Sequence, residues 1–193
     1  MLCLGSGIWA SQLGNSVGCS TGDYTNAVGY VTLAGKFTAT ANGALDSTCI
    51  DIIAGGAAEV CKIAVYSYDG TFTLIDYTAE FTPASGWTTE QRALTQSGST
   101  VSGTVYWVAL WAEVGHSGVC GFHYNGTGGD ADSTYRYSAG YTTSFPTGFG
   151  FGDCLRDNRL SCGYIVYTPS GAANTRLEVQ GAITIKGRVK CGD

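Results

Sequence analysis

The groups in this 193-residue chain that could do chemistry are two histidines, fifteen carboxylates and eight cysteines. His116 lies in the turn-like GHSG and His123 stands beside Tyr124. Neither belongs to an H-E-x-x-H or other paired metal pattern, and hydrolysis by histidine needs a base oriented by a third group. Glycoside hydrolysis needs two carboxylates flanking a sugar. Asp130, Asp132, Asp153 and Asp157 gather in one Gly-rich stretch, but spacing alone brings no two of them together, and solvated loop acids are the default. Within that stretch, GGDADS offers Asp130 and Asp132 as oxygen ligands for a calcium ion, without the distal Glu of an EF-hand. A simple Asp/Gly turn is the alternative. The chain therefore reads as non-enzymatic, with calcium the one cofactor its residues suggest.

The cysteines are Cys3, Cys19, Cys49, Cys61, Cys120, Cys154, Cys162 and Cys191. Their number is even and no C-x-x-C occurs, which favours disulfides over structural zinc. Buried reduced thiols are the alternative. Cys49 and Cys61 flank the turn-like AGGAA of residues 54–58 and could face each other across a hairpin. Cys154 and Cys162 could close a short loop. Eight cysteines allow 105 pairings, so the remaining connectivity stays open.

Aromatic residues crowd the same region as the acids: Tyr124, Tyr135, Tyr137, Tyr141, Phe145, Phe149 and Phe151. Such rings stack on sugars, anchor subunit interfaces, or cover the end of a core. Asn125-Gly126-Thr127 matches a glycosylation acceptor, meaningful only in a glycosylating host.

The elements that must position these groups are strands. Charged residues make up 13% of the chain, with 29 Gly and 12 Tyr. That composition suits pleated surfaces and tight turns, not long helices. Strands are expected at Tyr30–Thr40, Leu45–Ile53 and Val60–Ser67, with one or two in Thr71–Phe81. Asn42-Gly43 and Asp69-Gly70 mark turns. Residues 83–86 form a corner closed by Trp87. Val101–Glu113 is the strongest strand. Val105, Trp107, Ala109 and Trp111 face one way, and Tyr106, Val108, Leu110 and Ala112 the other, so it should be central and buried on both sides. Val119–Tyr124 pairs next. A Gly/Asp/Tyr/Ser-rich excursion covers residues 125–158, Arg159–Tyr167 returns as a strand, and further strands are expected near Thr175–Val179 and Ala182–Val189. About nine or ten strands make an all-β, two-sheet antiparallel sandwich of jelly-roll type. Residues 1–27 read as an N-terminal arm, and residues 28–193 as a single domain.

The net charge is −5, with three basic and eight acidic groups in residues 1–100 and seven of each thereafter. The basic residues are too few and too dispersed for a nucleic-acid footprint. No segment approaches the length of a membrane span. The opening MLCLGSGIWASQLGNS has no Lys or Arg and does not read as a secretory leader.

The stretch Lys36–Glu113 resembles a jelly-roll module that recurs in virion proteins of tailed phages and in large microbial surface proteins. The resemblance rests on Phe37–Gly43 (FTATANG), Cys61–Gly70 (CKIAVYSYDG), Gly86–Thr88 (GWT) and Gly103–Ala109 (GTVYWVA). Phe145–Gly148 (FPTG) adds a later match. It covers about 120 residues and implies a building block or binding module with no catalytic residue. Trp87 and Trp107 would plug the sandwich core, and Gly43 and Gly70 would supply turn conformations closed to bulkier residues. The eight cysteines depart from the pattern. The expected function is a structural subunit of a virion, a capsid decoration or tail-associated protein, or of another extracellular assembly. Its partners would be other copies of itself and neighbouring assembly proteins. The alternative is a carbohydrate-binding module for host or glycan recognition.

Overall fold

A computed structural model describes residues 10–14, 24–55, 60–113, 120–125, 134–140, 142, 144–157 and 160–170. They form two antiparallel sheets packed as a sandwich. In chain order the strands are β1 (Ser11–Gly14), β2 (Tyr24–Asn26), β3 (Tyr30–Thr38), β4 (Gly43–Ala54), β5 (Cys61–Tyr68), β6 (Phe72–Tyr77) and β7 (Gly86–Ala93). There follow β8 (Ser99–Thr100), β9 (Val105–Ala112), β10 (Cys120–Asn125), β11 (Thr134–Ser138), β12 (Cys154–Asp157), β13 (Leu160–Ser161) and β14 (Gly163–Pro169). A single 3-10 turn at Phe151–Asp153 precedes β12.

The six-stranded sheet runs β12-β11-β3-β9-β5-β6. The eight-stranded sheet is built on β4, which pairs β7 and β8 on one edge and β14 and β10 on the other; β1, β2 and β13 lie beyond. Among the described residues, strands longer than two residues number about twelve, against the nine or ten expected, and the expected strands near 175–179 and 182–189 lie outside the described residues. The difference has local causes. Gly86 and Trp87, expected to close a corner, open the strand β7, whose remaining residues were given no element, and the excursion contributes β11 and β12. The described parts of the N-terminal arm also pair into the eight-stranded sheet, β1 on β14 and β2 on β10. β10 does not continue beside β9 but crosses to the opposite sheet, where it pairs β4. From there Cys120 and Phe122 enter the core.

Strand β9 explains the layering. Its residues Tyr106, Val108, Leu110 and Ala112 pack between the sheets with Ile50, Ile52, Ile63, Val65 and Phe122. Its alternate residues Trp107, Ala109 and Trp111 face away from the other sheet, into a second apolar cluster with Tyr66, Phe72, Tyr135, Phe145 and Phe149. The period of two in YWVALWA thus serves two cores. Trp107 is fully buried, but in this outer aromatic layer and not between the sheets.

The excursion is stitched over that layer by polar contacts. Tyr66 Oη donates to the Pro146 carbonyl at 2.8 Å, and Trp111 Nε1 to the Ala139 carbonyl at 3.3 Å. Phe72 N–H donates to the Phe149 carbonyl at 2.7 Å, and Gly148 N–H returns to the Phe72 carbonyl at 3.1 Å. The ring of Phe72 stacks on Phe149 at 5.0 Å. Burying each large side chain here stabilises by roughly 1.5–3 kcal/mol.

Gly70 has φ +113°, where a side chain would be strained, as its turn requires. Gly43 has no such angle. It opens β4, and a Cβ there would lie 2.5 Å from the Thr168 carbonyl oxygen, so close strand approach is its reason for being glycine.

Candidate functional site

The outer face of the eight-stranded sheet carries the one place where an exposed aromatic ring meets titratable groups among the described residues. Strand β7 alternates, placing Trp87, Thr89 and Gln91 outward, opposite Ile53, Asp51 and Cys49 of β4. On the far edge of β4, His123 of β10 points the same way, with the backbone of Tyr24 paired beside it. Gly121 stands opposite Ile53 and has no side chain to obstruct the indole. The Trp87 ring reaches across and stacks on His123, centroids 4.1 Å apart and planes 33° apart. Trp87 nevertheless stays 42% exposed. This corrects the expectation that it plugs the core: the edge strand turns it outward.

Below the stacked pair lies Asp51, buried, accepting a hydrogen bond from Thr89 Oγ1 at 2.6 Å. Burial holds the His123 imidazole below its ordinary value, and the Asp51 carboxylate partly opposes this. A largely neutral imidazole beside a buried carboxylate follows. Tyr164 of β14 stands opposite Cys49, and their side-chain hydrogen bond, with burial second, raises the phenol. The exposed part of this face is the Trp87 ring with Thr89 and Gln91 along the same strand, while Cys49, Asp51 and His123 are buried. An exposed ring face flanked by the Thr89 hydroxyl and the Gln91 amide can stack on a planar or ring-shaped ligand.

A second aggregate of titratable groups sits under the excursion. Lys62 is buried, its amine bonded to the Thr142 carbonyl, 3.5 Å from Glu80 and 5.2 Å from the Trp111 ring centroid. Burial lowers its pKa, against the opposing charge of Glu80. These contacts tie the excursion down: the Lys62 amine is buried, while its partner Glu80 stays exposed to solvent.

The residues singled out from sequence are distributed as follows. Tyr124, Tyr135 and Phe145 are buried. Tyr137 is half-buried and stacks on Phe149 at 4.3 Å. The rings of Tyr135, Tyr137 and Phe145 belong to the aromatic layer over the six-stranded sheet. Tyr141, Asp130, Asp132 and His116 lie outside the described residues, as do Gly126 and Thr127 of the glycosylation pattern. Asp153 accepts from Gly150 N–H at 2.9 Å and orders the short turn before β12. Among the described residues, no group of three or more His, Cys, Asp and Glu could hold a metal ion.

Neither suggested cysteine pairing forms. Cys49, Cys61, Cys120 and Cys154 are reduced, whereas Cys162 is held in a disulfide whose other half lies outside the described residues. Cys49 faces outward from the eight-stranded sheet beside Tyr164, while Cys61 points into the core from the other sheet, so their strands present them to different sides. Cys154 contacts the Gly150 carbonyl at 3.4 Å, and burial, with Asp153 second, pushes its thiol up to about 11.

Sequence reasoning missed the Trp87–His123 face because it placed Trp87 in a corner. The signal was present in WTTEQR, where Trp87, Thr89 and Gln91 alternate with Thr88, Glu90 and Arg92. No family model matches the chain, and no curated protein matches it.

Proposed function

We propose that the chain is a non-enzymatic structural subunit of a virion, as a capsid decoration or tail-associated protein, or of another extracellular assembly, and that it associates with further copies of itself. The observation that carries this reading is the double cladding of the six-stranded sheet. One face packs on the second sheet and the other is roofed by the chain's own aromatic excursion. Such a unit is stiff and keeps its aromatic surface to itself, so its contacts with neighbours fall to edges and loops. At one edge of that sheet, β12 presents Leu155, 55% exposed, on a strand paired on one side only by β11 among the described strands. An open strand edge with an apolar side chain is a ready template for another chain. The resemblance of Lys36–Glu113 to virion and surface-protein modules supports the same reading. Sedimentation velocity tests it: Leu155→Asp should shift the association equilibrium toward the single chain, and an unchanged distribution would remove β12 from the interface.

A carbohydrate-binding role is the second reading, favoured by the Trp87–His123 face. A pyranose ring would stack on the indole, with Thr89 and Gln91 reaching its hydroxyls. Glycan-array binding that disappears in Trp87→Ala would support it; binding unaffected by that change would not.

A further inference from the structure

Cys61 and Cys120 begin strands in different sheets, β5 in the six-stranded and β10 in the eight-stranded one. Each is fully buried in the core between the sheets, and their Sγ atoms stand 2.8 Å apart. The two backbones are locked in one hydrogen-bonded frame. Cys61 pairs with Ala112 of β9, Ala112 N–H donates to the Ala27 carbonyl at 3.2 Å, and Ala27 N–H donates to the Cys120 carbonyl at 2.8 Å. Cys61 also exchanges two hydrogen bonds with Phe81, at 2.9 and 3.0 Å. Nothing in this frame has to move far for the sulfurs to join, and the other reduced cysteines are elsewhere: Cys49 is on the opposite surface of β4 and Cys154 beside Gly150.

We propose that Cys61 and Cys120 form a disulfide that bolts one sheet to the other. The oxidant is a disulfide of the oxidised-glutathione class. One cysteine thiolate attacks its sulfur–sulfur bond and forms a mixed disulfide, releasing one glutathione thiolate. The second cysteine then attacks the protein sulfur, forms the Cys61–Cys120 bond and expels the other glutathione. The two cysteine protons end on the two glutathione thiols, and the two electrons leave the protein for the oxidant. Because both thiols are buried, the exchange takes place before the sandwich closes or during local opening. The bond closes a loop of about 60 residues, which restricts the unfolded chain strongly. The proposal stands apart from the assembly reading and does not need it.

The test incubates the chain with oxidised glutathione, unfolds and alkylates it, and digests it with trypsin and a glutamate-specific protease. Cleavage after Glu59, Lys62, Glu113 and Arg136 isolates Cys61 in residues 60–62 and Cys120 in residues 114–136, each apart from every other cysteine. The expected product is these two peptides linked. Recovery of both as separate alkylated peptides, or of either joined to another cysteine, overturns the proposal. Oxidation should also raise Tm by about 10 °C, and Cys61→Ala and Cys120→Ala should each abolish that bond's share of the rise. A single variant that keeps the full rise contradicts the proposal. Peptide mapping of the unaltered chain decides the matter even if a variant fails to fold.

Discussion

Asp76 shows how one side chain organises a loop. It is fully buried, and its Oδ1 accepts from the N–H groups of Tyr77, Thr95 and Gln96 at 2.7, 3.1 and 2.8 Å. Its Oδ2 accepts from Gly98 N–H at 2.8 Å. A carboxylate is acceptor-only on both oxygens, so it suits four donors, whereas an amide would aim its own N–H at one of them. Asp76→Asn should therefore destabilise by about 2–3 kcal/mol, read as a lower urea midpoint; a loss below about 0.5 kcal/mol would mean that the loop is held by other contacts. His123 gives a pH signature. Its folded-state pKa lies below the ordinary 6.5, so the unfolded chain takes up the proton first as pH falls. Its contribution to stability is complete above 6.5 and declines as pH drops through that value toward the folded pKa. Urea midpoints measured from about pH 7.5 down to about pH 5.5 should fall less steeply in His123→Gln than in the parent chain, and parallel slopes would contradict this.

At the scale of elements, two tryptophans separate the interior from the surface. Trp107→Ala should cost about 3–5 kcal/mol because it opens a cavity in the aromatic layer, whereas Trp87→Ala should cost under about 1 kcal/mol. Denaturant titrations of the two variants check the contrast, and equal losses would contradict the layering. Strands β3, β4, β5 and β9 were legible because their apolar residues alternate against clear turn signals such as Asn42-Gly43 and Asp69-Gly70. The double burial of β9 was legible too, because both of its faces are apolar. β7 was not: it is an edge strand with one polar face, and its leading Gly-Trp reads as a corner when the partner strand is unknown. The core position that the resemblance implies for Trp87 fails because this edge strand turns the ring outward. Which aromatic ring belongs to which layer depends on register and on how the excursion folds back. Neither quantity has a local sequence signal, and so for Tyr135 and Phe145 the sequence leaves sugar stacking, subunit interface and core cover side by side, where the structure has them covering the core. The cysteines failed similarly, since the approach of Cys61 to Cys120 is set by a crossover between sheets and not by a hairpin.

The whole molecule is a sandwich with a third layer of its own making. Its composition, poor in charge and rich in Gly and Tyr, fits a body whose aromatics face inward and whose outside is mostly small and polar. Among the described residues, the large apolar side chains left in the open are Trp87, Val101 and Leu155, and they mark separate places: the His123 face, the turn before β9, and the β12 edge. If the chain is a building block, the β12 edge should carry association, and the Trp87 face should remain available on the assembled particle. Light scattering of the purified chain over a wide concentration range tests this most directly. A defined particle several times heavier than the 20.1 kDa chain is the predicted result; a mass that stays at 20.1 kDa at every concentration would contradict self-assembly.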